Sequence, residues 1–171
     1  MNYFDFYELP LSFTPDKKTV KEKFLTYSKK YHPDFHTLAS PEKQHEILRM
    51  STLNTKAFET LSDPDKCMKY ILQEKGLLQE EKYALPQIFL MEMLNLNELV
   101  MELQFDPSVK VDVETHLSDA LQRQQKAIEP ILNSFTEQTA THETYAAVKE
   151  YYYKRKYLLR IQEQLHKFAN P

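Results

Sequence analysis

The stretch Lys29-Lys30-Tyr31-His32-Pro33-Asp34-Phe35-His36, KKYHPDFH, decides how this chain is read. It ends a basic segment on tyrosine and then sets a proline between an imidazole and a carboxylate. Three readings compete: a metal or catalytic cluster, an ordinary helix stop, and a loop that another protein contacts. Pro33 disfavours helical geometry at the residue before it, so a helix arriving from the N-terminal side ends near His32. Upstream, Thr14-Pro15-Asp16 reads as an N-cap, a proline in the first helical position and an acid in the first turn. The helix between runs to about Tyr31, with Val20, Phe24, Tyr27 and Tyr31 as its apolar stripe. Six lysines lie along it, Lys17, Lys18, Lys21, Lys23, Lys29 and Lys30, opposed by Asp16 and Glu22 alone. They build a local positive field, which steers encounter with an acidic surface more than it adds affinity. A plain solvated face is the bland alternative for the same lysines.

The rest of the chain sets the frame. Among 171 residues there is one glycine and no tryptophan, with 22 Lys+Arg against 25 Asp+Glu. So little glycine argues against hairpins and for an all-helical protein. A net charge of -3 does not suggest a nucleic-acid binder. Cys67 is the single cysteine, which leaves no internal disulfide and no Cys-based zinc site. The start lacks a signal-peptide pattern, and no run approaches the ~20 apolar residues of a membrane span. A soluble cytoplasmic protein is expected.

Helix signals continue along the sequence. Asn2 to Glu8 form a short aromatic segment closed by Pro10. Ser40-Pro41-Glu42 opens a helix with Ile47, Met50, Ala57, Phe58 and Leu61 on its buried side. Ser62-Asp63-Pro64 stops it and starts a shorter helix through about Lys75, and Gly76 fits the left-handed position beyond its end. Periodicity lapses from Leu77 to Pro86. Three helices are predicted beyond, over about 87–104, 112–133 and 142–168, with Asp112 and Thr141 as caps and Asp106-Pro107 as a turn. Short connections suggest an antiparallel three-helix bundle. The expected organisation is a first domain over 1–76, a linker over 77–86 and a second domain over 87–171. Residues 1–76 hold 12 basic and 11 acidic groups, and residues 77–171 hold 10 and 14.

Two surfaces stand out chemically. His32, Asp34 and His36 form H-x-D-x-H, but no further His, Cys or Glu cluster completes a metal shell. No Ser, Cys or Lys is paired with a base in a motif that would support nucleophilic catalysis. In the helix over 87–104, Phe89, Met93, Leu96, Val100 and Leu103 fall within about 80° of one another and make a core face. Leu90, Met91, Leu94 and Met101 lie more than a quarter-turn away, flanked by Glu98 and Glu102. They are either the second half of a broad core arc or an exposed apolar patch rimmed with acids, as a partner site is. In the last helix Val148, Tyr151, Leu158, Ile161, Leu165 and Phe168 keep core spacing, and Tyr153 falls roughly opposite.

The opening YFDFYELP, the basic helix ending YHPD, and LNTKAFETLSDPDKCMKYIL together resemble a J-domain. The particular resemblance is to HscB-type co-chaperones of iron–sulfur cluster assembly, and it extends to FLMEMLNL in the second half. It implies an all-α fold, a J-domain helical hairpin followed by a three-helix bundle, and a protein that is no enzyme. It implies docking on a DnaK/HscA-type chaperone ATPase through His32, Pro33 and Asp34, with Lys21, Lys29 and Lys30 steering and holding. It also implies delivery of the iron–sulfur scaffold protein IscU through Leu90, Met91, Leu94, Glu98, Glu102 and Tyr153. Phe35 stands where relatives usually carry Lys or Arg, and Asn95 where they often carry an acid. Some eukaryotic relatives have an extra N-terminal zinc module; this sequence begins at the J-domain-like segment, so no metal or other cofactor is expected. A J-protein with another client is the alternative. Nucleic-acid binding by the lysine helix and Lys149–Lys156 (KEYYYKRK) is a third reading, which the net charge opposes.

Overall fold

A computed structural model describes residues 1–78 and 83–169; of the expected 77–86 linker, residues 79–82 lie outside the described part. The described residues contain helices and no strand. They are α1 (Tyr3–Tyr7), α2 (Lys17–Lys30), α3 (Pro41–Leu61), α4 (Pro64–Glu74), α5 (Gln87–Glu102), α6 (Lys110–Ser134) and α7 (His142–Ala169). Short 3-10 turns span Pro33–His36 and Pro107–Val109. Two compact units result: Met1–Lys75 with Phe135–Thr139, and Gly76–Ser134 with Ala140–Pro171.

In the first unit α2 and α3 form an antiparallel hairpin. Phe24 stacks on Phe58 at 4.3 Å, and one turn further on the Asn54 amide donates to the Ser28 hydroxyl at 3.1 Å. α1 and α4 close the hairpin's open side with Phe4, Phe6, Tyr7, Met68, Ile71 and Leu72, all buried. Burying side chains of this size contributes roughly 1.5–3 kcal/mol each before the ordering cost. Phe135 sets its ring edge against Phe13 at 4.7 Å within this same unit.

Asn54 is buried to 1% exposure on the core face of α3. The Tyr7 hydroxyl lies 2.8 Å from its Oδ1 and 3.0 Å from its carbonyl oxygen. Its amide donates to the Phe24 carbonyl at 3.1 Å, so one side chain ties α1, α2 and α3 together. Burial, reinforced by neighbouring Tyr27, pushes the Tyr7 hydroxyl well above its ordinary pKa. The periodicity-based core of α3 passes over this residue, because a polar type at a core position carries no hydrophobic signal.

Helix starts follow local chemistry, with two corrections to the sequence reading. The cap of α2 is Asp16 and not Thr14: its carboxylate accepts the Thr19 amide at 2.8 Å and the Thr19 hydroxyl at 2.6 Å. Pro15 therefore lies outside the helix. Asp112 is likewise inside α6; the chain enters that helix through the turn that Asp106 caps by accepting the Ser108 amide at 2.9 Å. Other starts agree. Ser40 and Asp63 cap α3 and α4, with Pro41 and Pro64 in the first turn. The Thr141 hydroxyl accepts the Thr144 amide at 3.3 Å at the head of α7. Gly76 sits at φ +67, the left-handed conformation that lacks a Cβ penalty only for glycine.

The second unit is an up-down-up bundle. Phe89, Met93, Leu96 and Val100 of α5 meet Val113, Leu117 and Ala120 of α6 and Leu158, Ile161 and Leu165 of α7. Phe168, assigned to the core by spacing, is instead 45% exposed; the buried stripe of α7 ends at Leu165.

Candidate functional site

The first candidate surface is the loop between α2 and α3. Tyr31 closes α2, its amide donating to the Tyr27 carbonyl at 2.9 Å. His32 is extended, with φ -73 and ψ 125, as the residue before proline should be. Pro33 opens the 3-10 turn, which the Phe35 amide closes on the His32 carbonyl at 3.1 Å. The side chains of His32 and Asp34 stay in solvent, 51% and 84% exposed. Their mutual contacts are loose: His32 Nδ1 accepts the Asp34 amide at 3.3 Å and lies 3.8 Å from the Asp34 carboxylate. Among the described residues, no hydrogen bond or ion pair draws either side chain into the core. Phe35, in the position after the tripeptide, is 73% exposed and lies 5.6 Å from the His32 ring.

The lysines sort by position. Lys23 reaches back to Glu8 at 2.8 Å, which lowers the Glu8 pKa and raises its own. Lys18 stands 4.0 Å from Glu22. Lys21 and Lys29 are exposed, and no ion pair involving them occurs among the described residues. They flank Leu25 one helical turn away on either side, and Leu25 is 49% exposed. Lys30 lies over the rings of Tyr31 and Tyr27 at 5.2 and 5.7 Å. Leu25 was not singled out from sequence; its place between two cations at i-4 and i+4 was the available signal. As for a metal, no three His, Cys, Asp or Glu side chains gather to hold an ion among the described residues. His36 turns its Nε2 to the Lys30 carbonyl at 2.9 Å.

The second candidate surface is the outer side of α5. Leu90, Met91 and Leu94 are 44%, 62% and 59% exposed, so they stand outside the bundle core rather than completing it. Met101 continues the strip, and Glu98 and Glu102 are exposed beside it. Tyr153 is only half-exposed and is not alone on its helix face: it stacks on Tyr83 at 4.6 Å with an interplanar angle of 7°. Lys149 covers Tyr83 at 5.4 Å. Burial, then the Glu150 carboxylate, raises the Tyr83 pKa. Asn95 is exposed.

A lysine-lined helical hairpin that presents His-Pro-Asp, with a three-helix bundle as the other unit, is a two-part all-α fold. Comparison with known proteins agrees. Residues 85–166 match the family model described as the HSCB C-terminal oligomerisation domain. A Psychromonas ingrahamii protein named co-chaperone protein HscB homolog is 27% identical over 167 residues, covering 96% of this chain and 95% of its own. A Vibrio cholerae protein of the same name is 30% identical over 100 residues, and that match spans 58% of its length. The structure of human co-chaperone HscB superposes with a TM-score of 0.78 at 21% identity, over 100% of this chain and 83% of its own. That of HscB from Vibrio cholerae gives 0.72 at 20% identity, over 99% and 98%. At those identities the structural likeness speaks to the fold. The chain is thus similar to co-chaperones of the HscB type along nearly its whole length, and the family model covers its second half.

Proposed function

We propose that this chain is a co-chaperone of iron–sulfur cluster assembly. Its first unit docks on a DnaK/HscA-type chaperone ATPase and stimulates it; its second unit delivers an IscU-type scaffold. The exposure of His32 and Asp34 on a proline-braced turn carries the reading. Pro33 fixes one backbone torsion, so the flanking side chains reach a partner with little further ordering cost. Asp34 is free to pair with a guanidinium across an interface that excludes water. Lys21, Lys29 and Lys30 give the approach its positive field. The protein supplies no reacting group; it biases the partner between two states, a coupling typically worth ~1–3 kcal/mol. On α5, an apolar strip with Glu98 and Glu102 at its edge suits a partner that is apolar and basic, and Met91 and Met101 adapt to its shape. Tyr153 adds an aromatic anchor from α7.

The test is steady-state ATP turnover by a DnaK/HscA-type chaperone with this protein, the scaffold, and both. Turnover with both should exceed the product of the separate stimulations. Stimulation by this protein without that synergy points to a J-protein serving another client. No stimulation rejects the co-chaperone reading.

A further inference from the structure

The trigger turn is held at both ends by side chains that lie outside the His-Pro-Asp tripeptide. At its start, the last carbonyls of α2 need donors, because no following helical turn supplies them. The Tyr31 and His32 amides take the Tyr27 and Lys29 carbonyls, at 2.9 and 3.4 Å. The Lys30 carbonyl is taken by His36 Nε2 at 2.9 Å, which folds the chain back from the far side of the turn. At its end, the Gln44 amide nitrogen donates to both the Thr37 and the Ala39 carbonyls at 3.0 Å. Gln44 belongs to the first turn of α3, whose own cap is Ser40. Backbone bonds fill the interval: Phe35 to His32 and Ala39 to His36, both at 3.1 Å. His36 and Gln44 therefore join the loop over 31–40 to the two helices that flank it while leaving His32 and Asp34 in solvent.

We propose that His36 and Gln44 are positioning residues that hold the turn in its partner-ready shape before encounter. The proposal rests on the co-chaperone reading and adds to it two residues that touch no partner. A loop already ordered loses less freedom on docking, so the clamps act on affinity. They should leave the stimulation reached at saturation unchanged, since the groups that meet the ATPase are intact.

Three variants of the full chain separate the cases. His36→Leu removes the donor; His36→Gln keeps an amide donor of similar reach; Gln44→Glu keeps the shape but replaces the donor with an acceptor facing two carbonyls. ATPase stimulation is titrated against each. His36→Leu and Gln44→Glu should raise the concentration for half-maximal effect roughly three- to tenfold, with the plateau unchanged, and His36→Gln should restore most of the loss. Backbone ¹⁵N relaxation of Phe35 to Ala39, measured on the protein alone, should change from rigid values in the parent to mobile ones in the two damaged variants. Unchanged relaxation in both overturns the inference, as does a lowered plateau at unchanged half-maximal concentration. A parent that stimulates nothing rejects the co-chaperone reading instead, and the relaxation data still decide whether the clamps exist.

Discussion

Replacing Leu90, Met91 and Leu94 together by alanine separates a binding strip from a core face. All three side chains already have about half their surface in water, at 44%, 62% and 59% exposure. Truncating each to alanine removes a few carbons, and a fully buried methylene is worth about 0.8 kcal/mol. Only the exposed half is available for burial against a partner, so each residue contributes about 1 kcal/mol to docking. The triple variant should then bind an IscU-type scaffold weaker by ~3 kcal/mol, about a hundredfold in Kd. Folding should change little, by up to ~0.5 kcal/mol per site, as at other surface positions. Met93→Ala is the control. That side chain has 0% exposure, and its loss should cost ~2–5 kcal/mol of stability. Calorimetric titration with the scaffold gives the first quantity and urea unfolding the second. ATPase stimulation by the triple variant alone should match the parent. Scaffold affinity unchanged alongside a loss of several kcal/mol in folding would refute the reasoning and return the strip to the core.

Tyr7→Phe leaves Asn54 Oδ1 without its buried donor and should lower stability by ~1–2 kcal/mol in urea; Asn54→Leu should cost more. Because the two groups share bonds, the double variant should be less destabilised than the sum by at least ~0.5 kcal/mol, and strict additivity would contradict the network. Cys67, buried and with its thiol pushed up to about 12 by burial and then by Asp63, should resist a disulfide reagent at pH 8 until urea exposes it. Fast labelling of the folded chain would show that the site opens.

The main lines of this fold were legible because the sequence punctuates its helices with prolines and caps. Ser40-Pro41 and Asp63-Pro64 mark helix starts that the structure reproduces, and Gly76 marks an end. Two apolar stripes on α5 were separable by angle, and burial splits them along the same line. Thr14 misled because Pro15 is equally at home just outside a helix, and Asp16, with Thr19 three residues on, offers the better cap. Asn54 escaped because hydrophobic periodicity is blind to a polar side chain whose partners lie 30 and 47 residues away. The same holds for His36 and Gln44, whose roles depend on carbonyls that only the folded loop brings near. The 3-10 turn at Pro33 was invisible to a reading that asked only where α2 stops.

The most direct measurement is ATP turnover by the partner chaperone with His32→Gln in place of the parent, with helix content followed by circular dichroism. His32 is exposed and its ring makes loose contacts with its loop neighbours Asp34 and Phe35, so the variant should fold as the parent does. The account predicts an unchanged spectrum and loss of stimulation. A folded variant that stimulates as well as the parent would contradict it.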